Sequence, residues 1–536
     1  MASDETPTRA RPERKGLLTN ASWNGAYVAL TMVLSFVATP ILIGRFGLED
    51  YGLLVVLWGV AGILGSVDLG LGESTVRFVA RYLSNDDIEG ANRVFTASLT
   101  LFGLICVTLL TGVLLAAPLV TSWLSDPERL GPEGLETVAG LLRIAAFTIA
   151  ISILTRIYAA VPAAVHRFDV SNKVMMSSSL LRSSGHVAIA LSGFSFATII
   201  VWDLCLSIAT FAVATMAARS MLPELRLFPR PSFVGIREVL GYSVFSFLTF
   251  FLHKWHLEFG KLIISRVCGS VFVARISSPD NIAQRFREVL TGGLESTFPK
   301  FSESKDREAS TALLWRATWA IVALSTIVFV PFITIVPEFI RLWIPFDPDD
   351  AEFAVRAGEI GPLLGIHLML QSAFGAHAVY FRGTGRPWIV TLVTAAALGT
   401  TAAVAITLVP QNGPIGAAQG LLAGSSVPFL ALFVTSFTEF GSSAVRHLSR
   451  SVLVPLLCGG AAFLACSQAK HLIGTDSWVR IAPTGALLTA ICVLIVFGVD
   501  QLLHGSNGVS NQILRKVGRK LPQRFVPRYL RDEEQA

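Results

Sequence analysis

From about residue 21 to about residue 499 the chain is a succession of apolar runs, roughly fourteen of them, each about 20 residues or longer and so able to cross about 30 Å of hydrocarbon as a helix. In lipid every backbone N–H and C=O has to find its partner inside the protein, and a helix pairs them within its own segment. The expected fold is therefore all-α and polytopic. Composition agrees: 52% of the residues are hydrophobic and 15% are charged, and the runs recur too closely to leave room for a soluble domain of ordinary size.

The runs fall near residues 21–43, 51–80, 93–120, 137–162, 170–191 and 194–218, then 239–265, 271–298, 312–336, 353–381, 388–409 and 415–440, with a last pair at 452–467 and 478–499. A basic stretch with Arg219, Arg226, Arg230 and Arg237 separates the first six from the next six. This reads as a cytoplasmic tail at 1–20, a six-helix lobe at 21–218, a basic cytoplasmic connector at 219–237, a second six-helix lobe at 238–440, an extra transmembrane pair at 441–500 and a basic cytoplasmic tail at 501–536. Internal repetition is faint: Ile41-Leu-Ile-Gly-Arg-Phe-Gly47 resembles Leu262-Ile-Ile-Ser-Arg-Val-Cys268 at the outer end of the first helix of each half.

Basic residues set the orientation, because cytoplasmic loops retain Lys and Arg. Arg9, Arg11, Arg14 and Lys15 precede the first run, and the even-numbered connections carry Arg81 and Arg93, Arg167 and Lys173, the connector arginines, Lys300, Lys305 and Arg307, Arg382 and Arg386, then Arg446 and Arg450. The other connections hold little beyond Arg45, Arg129, Arg266, Arg341 and Lys470. Both termini are expected in the cytoplasm.

Charge inside the apolar runs is the functional signal, since an ionisable side chain at membrane depth costs a few kcal/mol unless it faces a bundle interior or a wet cavity. The run from Tyr51 leads into Asp68-Leu-Gly-Leu-Gly-Glu-Ser-Thr-Val-Arg77, where Asp68, Glu73 and Arg77 are expected to point inward. Counted at 1.5 Å per residue from the outer helix ends, Arg275 and Lys261 lie roughly 6 Å deep, Lys254 and Arg285 roughly 16 to 21 Å, and Arg77 nearly 40 Å, at the cytoplasmic rim. Arg77, Lys254, Arg275 and Arg285 thus form a cationic ladder able to replace the water around a phosphorylated group. Glu73 with Arg77 and Lys254 with Glu258 also stand at i,i+4 spacing, so local pairing is the plainer reading of each. Asp68, Glu73 and Glu258 are the candidates for ion coupling or charge pairing.

Other features are weaker. Ser277-Ser-Pro-Asp280 is expected to interrupt the eighth run, as a hinge or as a kink absorbed by packing. His253 and His256 share a polar patch in the seventh, titrating during transport or satisfied by neighbours. The acidic run Asp347-Pro-Asp-Asp350 reads as a solvated loop in preference to a metal site, and the six cysteines, with no CxxC pair, read as buried small hydrophobes. No cofactor is indicated, a GxxxxGK[ST] run is missing, and nothing points to nucleic acid.

Several segments, in order along almost the whole chain, resemble one family. They are Phe46-Gly-Leu-Glu-Asp-Tyr-Gly52, Asp68-Leu-Gly-Leu-Gly72 with Arg77, Ala163-Ala-Val-His-Arg-Phe168, Leu342-Trp-Ile-Pro345, Arg382-Gly-Thr-Gly-Arg-Pro387 and Val409-Pro-Gln-Asn-Gly-Pro-Ile-Gly-Ala-Ala418. The chain is similar to the polysaccharide transport branch of the multidrug/oligosaccharidyl-lipid/polysaccharide exporters, which includes O-antigen-type and lipid II flippases. The resemblance implies two six-helix lobes around a cavity that opens alternately to either side. It implies a bacterial cytoplasmic-membrane flippase for a polyprenyl-pyrophosphate-linked oligosaccharide in cell-surface polysaccharide biosynthesis. Membrane lipids, a polysaccharide polymerase and glycosyltransferases of the same pathway would be its partners. At Gly260 many relatives carry an acid, and Glu258 is the carboxylate at hand. A cation-coupled multidrug exporter is the alternative. A membrane-embedded glycosyltransferase or polymerase is disfavoured because no outside loop exceeds about 20 residues, too little to shape an acceptor site.

Overall fold

The computed structural model describes residues 17–65, 71–124, 127–165, 167–226, 228, 233–295, 301, 307–344, 351–504 and 511. Among them there is helix and no strand. The long helices are α1 (Leu17–Gly65), α3 (Ile88–Leu124), α4 (Pro127–Ala164), α5 (Phe168–Leu191), α6 (Phe196–Met221), α7 (Phe233–Val267), α8 (Ser270–Glu295), α9 (Arg307–Trp343), α10 (Ala351–Ala373), α12 (Pro387–Asn412), α13 (Pro414–Phe440), α15 (Val454–Ile473) and α16 (Trp478–His504). Shorter ones are α2 (Leu71–Ser84), α11 (Gly375–Gly383) and α14 (Ser443–Leu448), the last joined to α15 by a π turn at Ser449–Leu453. Gly47, at φ 78° and ψ 170°, splits α1 into two arms, a conformation that glycine adopts without a Cβ penalty. With the arms counted separately there are fourteen long helices among the described residues.

Among the described residues nine stretches are long and apolar enough to cross a membrane. The helices that miss this test, α5, α7, α8 and α10, carry the charged and histidine residues described below. Of the run expected at 51–80, residues 51–65 belong to α1 and residues 71–80 to α2, and residues 66–70 lie outside the described residues. Helix α2 is amphipathic, burying Thr75, Phe78 and Val79. Arg77 stands on α2. The break expected at Ser277–Asp280 is absent. Helix α8 runs through Pro279, with Ser277, Ser278 and Asp280 buried and Ser278 Oγ donating to the Ala274 carbonyl at 2.9 Å. Packing on the neighbouring helices holds the proline in line.

The chain divides into two compact units, residues 1–46 with 60–251 and residues 47–59 with 252–536. In the first, the core lies among α2, α3, α4 and α6, where Phe95, Tyr158 and Phe211 stack edge to face at 5.9 and 5.4 Å. Asn92 ties the turn after α6 by accepting from the Arg226 N–H at 2.6 Å and donating to the Glu224 carbonyl at 3.2 Å. Large apolar side chains such as Leu104, Leu115 and Leu119 stay exposed on α3, as a lipid-facing surface requires.

In the second unit α9 is central and buried on most sides, with α8, α10, α15 and α16 packed on it. Association of helices in lipid rests on close van der Waals packing, which small residues permit. A Cβ at Gly361 of α10 would approach Val336 Cγ1 of α9 to 2.5 Å, and one at Gly52 of α1 would come within 1.9 Å of the Ser270 carbonyl. Lys470 of α15 is fixed to α9 by Glu338 at 2.8 Å and the Thr334 carbonyl at 2.9 Å. Hydroxyls along these helices, Thr318, Thr326 and Thr334 among them, donate to the carbonyl four residues back, which satisfies them without water.

Candidate functional site

Helices α7 and α8 each place three polar residues at i, i+4 and i+7: Lys254, Glu258 and Lys261 on one, Asp280, Gln284 and Arg287 on the other. That spacing puts each trio on one helix face. Lys254 Nζ lies 3.4 Å from Glu258 Oε1, and Lys261 Nζ lies 3.2 Å from Glu258 Oε2 and 2.9 Å from Asp280 Oδ2. Gln284 Nε2 donates to Asp280 Oδ1 at 3.4 Å and Arg287 Nε to Gln284 Oε1 at 3.1 Å. The side chains of Asp280 and Lys261 are only 2% and 10% exposed, whereas Lys254 is about a third exposed, so the chain of charges grows wetter toward Lys254. A buried charge persists only when paired and hydrogen-bonded, and this network satisfies both carboxylates at once.

Of the expected ladder Lys254 joins this network, and so does Glu258, a candidate for ion coupling or charge pairing. Arg285 does not: it pairs with Glu288 at 2.9 Å on a partly exposed face. Arg275 stacks its guanidinium over the Phe272 ring at 4.4 Å. Asp68 lies outside the described residues, as do the side chains of Glu73 and Arg77 and the acidic run at 347–350. Cys205 is exposed and Cys268 half-buried, contrary to the expectation that all six cysteines are buried; Cys205 stands on α6 facing outward. Among the described residues no cluster of three or more His, Cys, Asp or Glu could hold a metal ion.

Sequence reading overlooked a second buried ionic group, in the first unit. Asp203 of α6 receives His186 Nε2 at 2.8 Å and Arg182 Nη1 at 3.0 Å, both from α5, and Arg182 also reaches Ser207 Oγ at 3.3 Å. A lone aspartate in the apolar run of α6 was its visible signal. Near the start of α12, Arg386 forms a forked pair with Glu439 of α13, one arm at 3.2 Å, and lies 5.2 Å from the Phe381 ring centre. The guanidinium is held charged to higher pH than usual by the hydrogen bond to Glu439.

Several solved structures share this fold. The lipid II flippase MurJ in an inward closed conformation aligns with a TM-score of 0.67 at 14% identity, over 89% of this chain and 98% of that one. An inward-facing multidrug resistance MATE family transporter of the MOP superfamily aligns at 0.57 and 16% identity, over 77% and 96%. A MOP superfamily transporter from Pyrococcus furiosus aligns at 0.55 and 16%, over 77% and 94%. Comparison with curated proteins gave no match. Long apolar helices in a fold shared with these transporters make the chain a multi-pass membrane protein. Residues 42–344, more than half of the chain, match the family model described as "polysaccharide biosynthesis protein", and the chain belongs to that family.

Proposed function

We propose that this protein is a flippase that carries a polyprenyl-pyrophosphate-linked oligosaccharide across the cytoplasmic membrane by alternating access, for cell-surface polysaccharide assembly. The observation that carries the reading is the paired charge network of α7 and α8, built inside membrane-length helices of a polysaccharide biosynthesis family member. Its cations, Lys254, Lys261 and Arg287, outnumber Glu258 and Asp280, which suits an anionic headgroup better than the cationic drugs of a multidrug exporter. Lobes at 21–218 and 238–440 rock against each other in this reading, with both termini in the cytoplasm and the polymerase and glycosyltransferases of the pathway as partners. Arg77 receives the pyrophosphate at the cytoplasmic mouth, Lys254 and Arg285 hold it near the midplane, and Arg275 lies on the exit side. Asp68, Glu73 and Glu258 balance these charges or couple an ion.

The test is flux of lipid-linked oligosaccharide in reconstituted vesicles, using variants matched for membrane abundance. Each single Ala substitution of Arg77, Lys254, Arg275 or Arg285 removes a charge-assisted hydrogen bond worth about 1.5 to 3 kcal/mol, so flux should fall by about one to two orders of magnitude. Near-normal flux in all four variants and in their combination would sink the ladder. Deleting the gene should leave the lipid-linked oligosaccharide on the cytoplasmic leaflet; its normal export would overturn the transport reading itself.

A further inference from the structure

A second polar site lies in the same unit, where α7, α10, α12 and α13 meet. His256 of α7 and His367 of α10 stack with ring centres 5.8 Å apart, 1% and 0% exposed. His256 Nδ1 is 2.8 Å from Thr401 Oγ1 of α12; His367 Nδ1 is 2.5 Å from Ser425 Oγ and 3.1 Å from the Leu421 carbonyl of α13. The carbonyl can only accept, so the His367 proton sits on Nδ1 and its Nε2 presents a lone pair. Among the described residues neither His256 Nε2 nor His367 Nε2 has a hydrogen-bond partner, and a buried polar atom left bare in a well-packed protein calls for an explanation.

Beyond the Ala397 carbonyl beside His256 and the Leu421 carbonyl beside His367, the surroundings hold little to stabilise a charged imidazole. On α7 His253 lies 6.3 Å from the His256 ring, while Lys254 and Glu258 are paired with each other. On α8 the Arg287 guanidinium acts on both rings with its own positive charge, and Asp280 is taken up by Lys261. Helix α12 contains no ionisable residue, α13 has only Glu439 at its far end, and on α10 Glu359 stands two turns away. The pocket cannot simply swell: a Cβ on Gly424 of α13 would come within 1.9 Å of Thr401 Oγ1 and 2.8 Å of His256 Cε1. Two neutral imidazoles fit this packing and an imidazolium does not.

We propose that His256 and His367 form a proton-binding site, with His367 Nε2 as the acceptor, and that taking up the proton parts α13 from α12 and α7. The closed packing holds neutral rings and the parted one exposes them to water, where an imidazole titrates near 6.5. Closed packing is therefore fully favoured above that pH and is lost as pH falls through it, by up to about tenfold per histidine for each pH unit. The site needs no transported substrate, so its test is separate from that of the flippase reading.

The experiment is amide hydrogen exchange of the full chain in lipid nanodiscs at pH 7.5 and pH 5.5, comparing wild type with His256→Gln/His367→Gln at each pH so that intrinsic exchange rates cancel. Relative to the double variant, the segments around Thr401 and Ser425 in wild type should lose about tenfold or more of their protection at pH 5.5. Equal protection ratios at the two pH values would overturn the proposal. If the double variant does not accumulate, spectra of ¹⁵N-histidine-labelled wild type decide: imidazolium signals that appear in step with lost protection support it, and rings that stay neutral in a fully protected protein at pH 5.5 overturn it.

Discussion

Lys261 and Asp280 stand on consecutive helices with Nζ and Oδ2 2.9 Å apart, and the same ammonium reaches Glu258 at 3.2 Å. One cation thereby neutralises two carboxylates that would otherwise repel each other out of reach of water. Lys261→Met should cost about 3–5 kcal/mol of stability, because it strands the buried charge of Asp280 and leaves Glu258 only its longer pair with Lys254. Thermal unfolding in detergent checks this. Adding Glu258→Gln and Asp280→Asn to the same chain should restore most of the loss, and a triple variant as unstable as the single one would speak against the pairing.

Arg285 and Arg287 should separate by readout. The Arg285–Glu288 pair is partly exposed and worth at most about 1 kcal/mol, so Arg285→Ala should leave unfolding unchanged while lowering flux. Arg287→Ala removes the charged partner of Gln284 and should lower stability by about 1.5 to 3 kcal/mol. Unfolding curves and vesicle flux on the same preparations distinguish the two.

Gly424→Ala should be destabilising by about 1–3 kcal/mol, since the new methyl group meets Thr401 Oγ1 and the Ala397 carbonyl at 1.9 and 2.8 Å. Gly399→Ala on the neighbouring helix meets nothing within 4 Å and, by replacing a helical glycine, should be neutral or stabilising by up to about 1 kcal/mol. Melting temperatures of the two variants provide the comparison.

At the Arg386–Glu439 clasp, Arg386→Lys keeps the charge and loses the forked geometry. The pair is partly exposed, so the expected loss is about 1 kcal/mol or less. Raising the salt concentration should destabilise wild type more than the lysine variant.

Reporter fusions after Asn412 and after Gln523 test the orientation drawn from the basic loops. They should behave as periplasmic and cytoplasmic respectively, and the opposite pattern at both sites would reverse the topology.

The helical, polytopic fold was legible because length and hydropathy alone define a membrane-length helix. The pairing of Lys254 with Glu258 on α7 was legible too, from its i,i+4 spacing. What the list of cations left open is which residue of α8 joins the charge network. Asp280 and Arg287 lie about 20° apart around a helix whereas Asp280 and Arg285 lie about 140° apart, so the buried aspartate already marks Arg287 as the inward cation. Attention to cations alone hid that marker, and it also hid Asp203. The pairing of Lys261 with Asp280, and the meeting of His256 with His367, depend on how separate helices dock, which no spacing within one helix records.

Gly413 is the whole connection between α12 and α13, at φ 57° and ψ −135°. Two helices of 26 and 27 residues joined by one residue form a hairpin whose spans are tied at one end, and the turn can close only if that residue takes a positive φ. Any residue with a side chain at Gly413, strained at that φ, should therefore reduce the amount of folded hairpin, and with it the amount of protein held in the membrane.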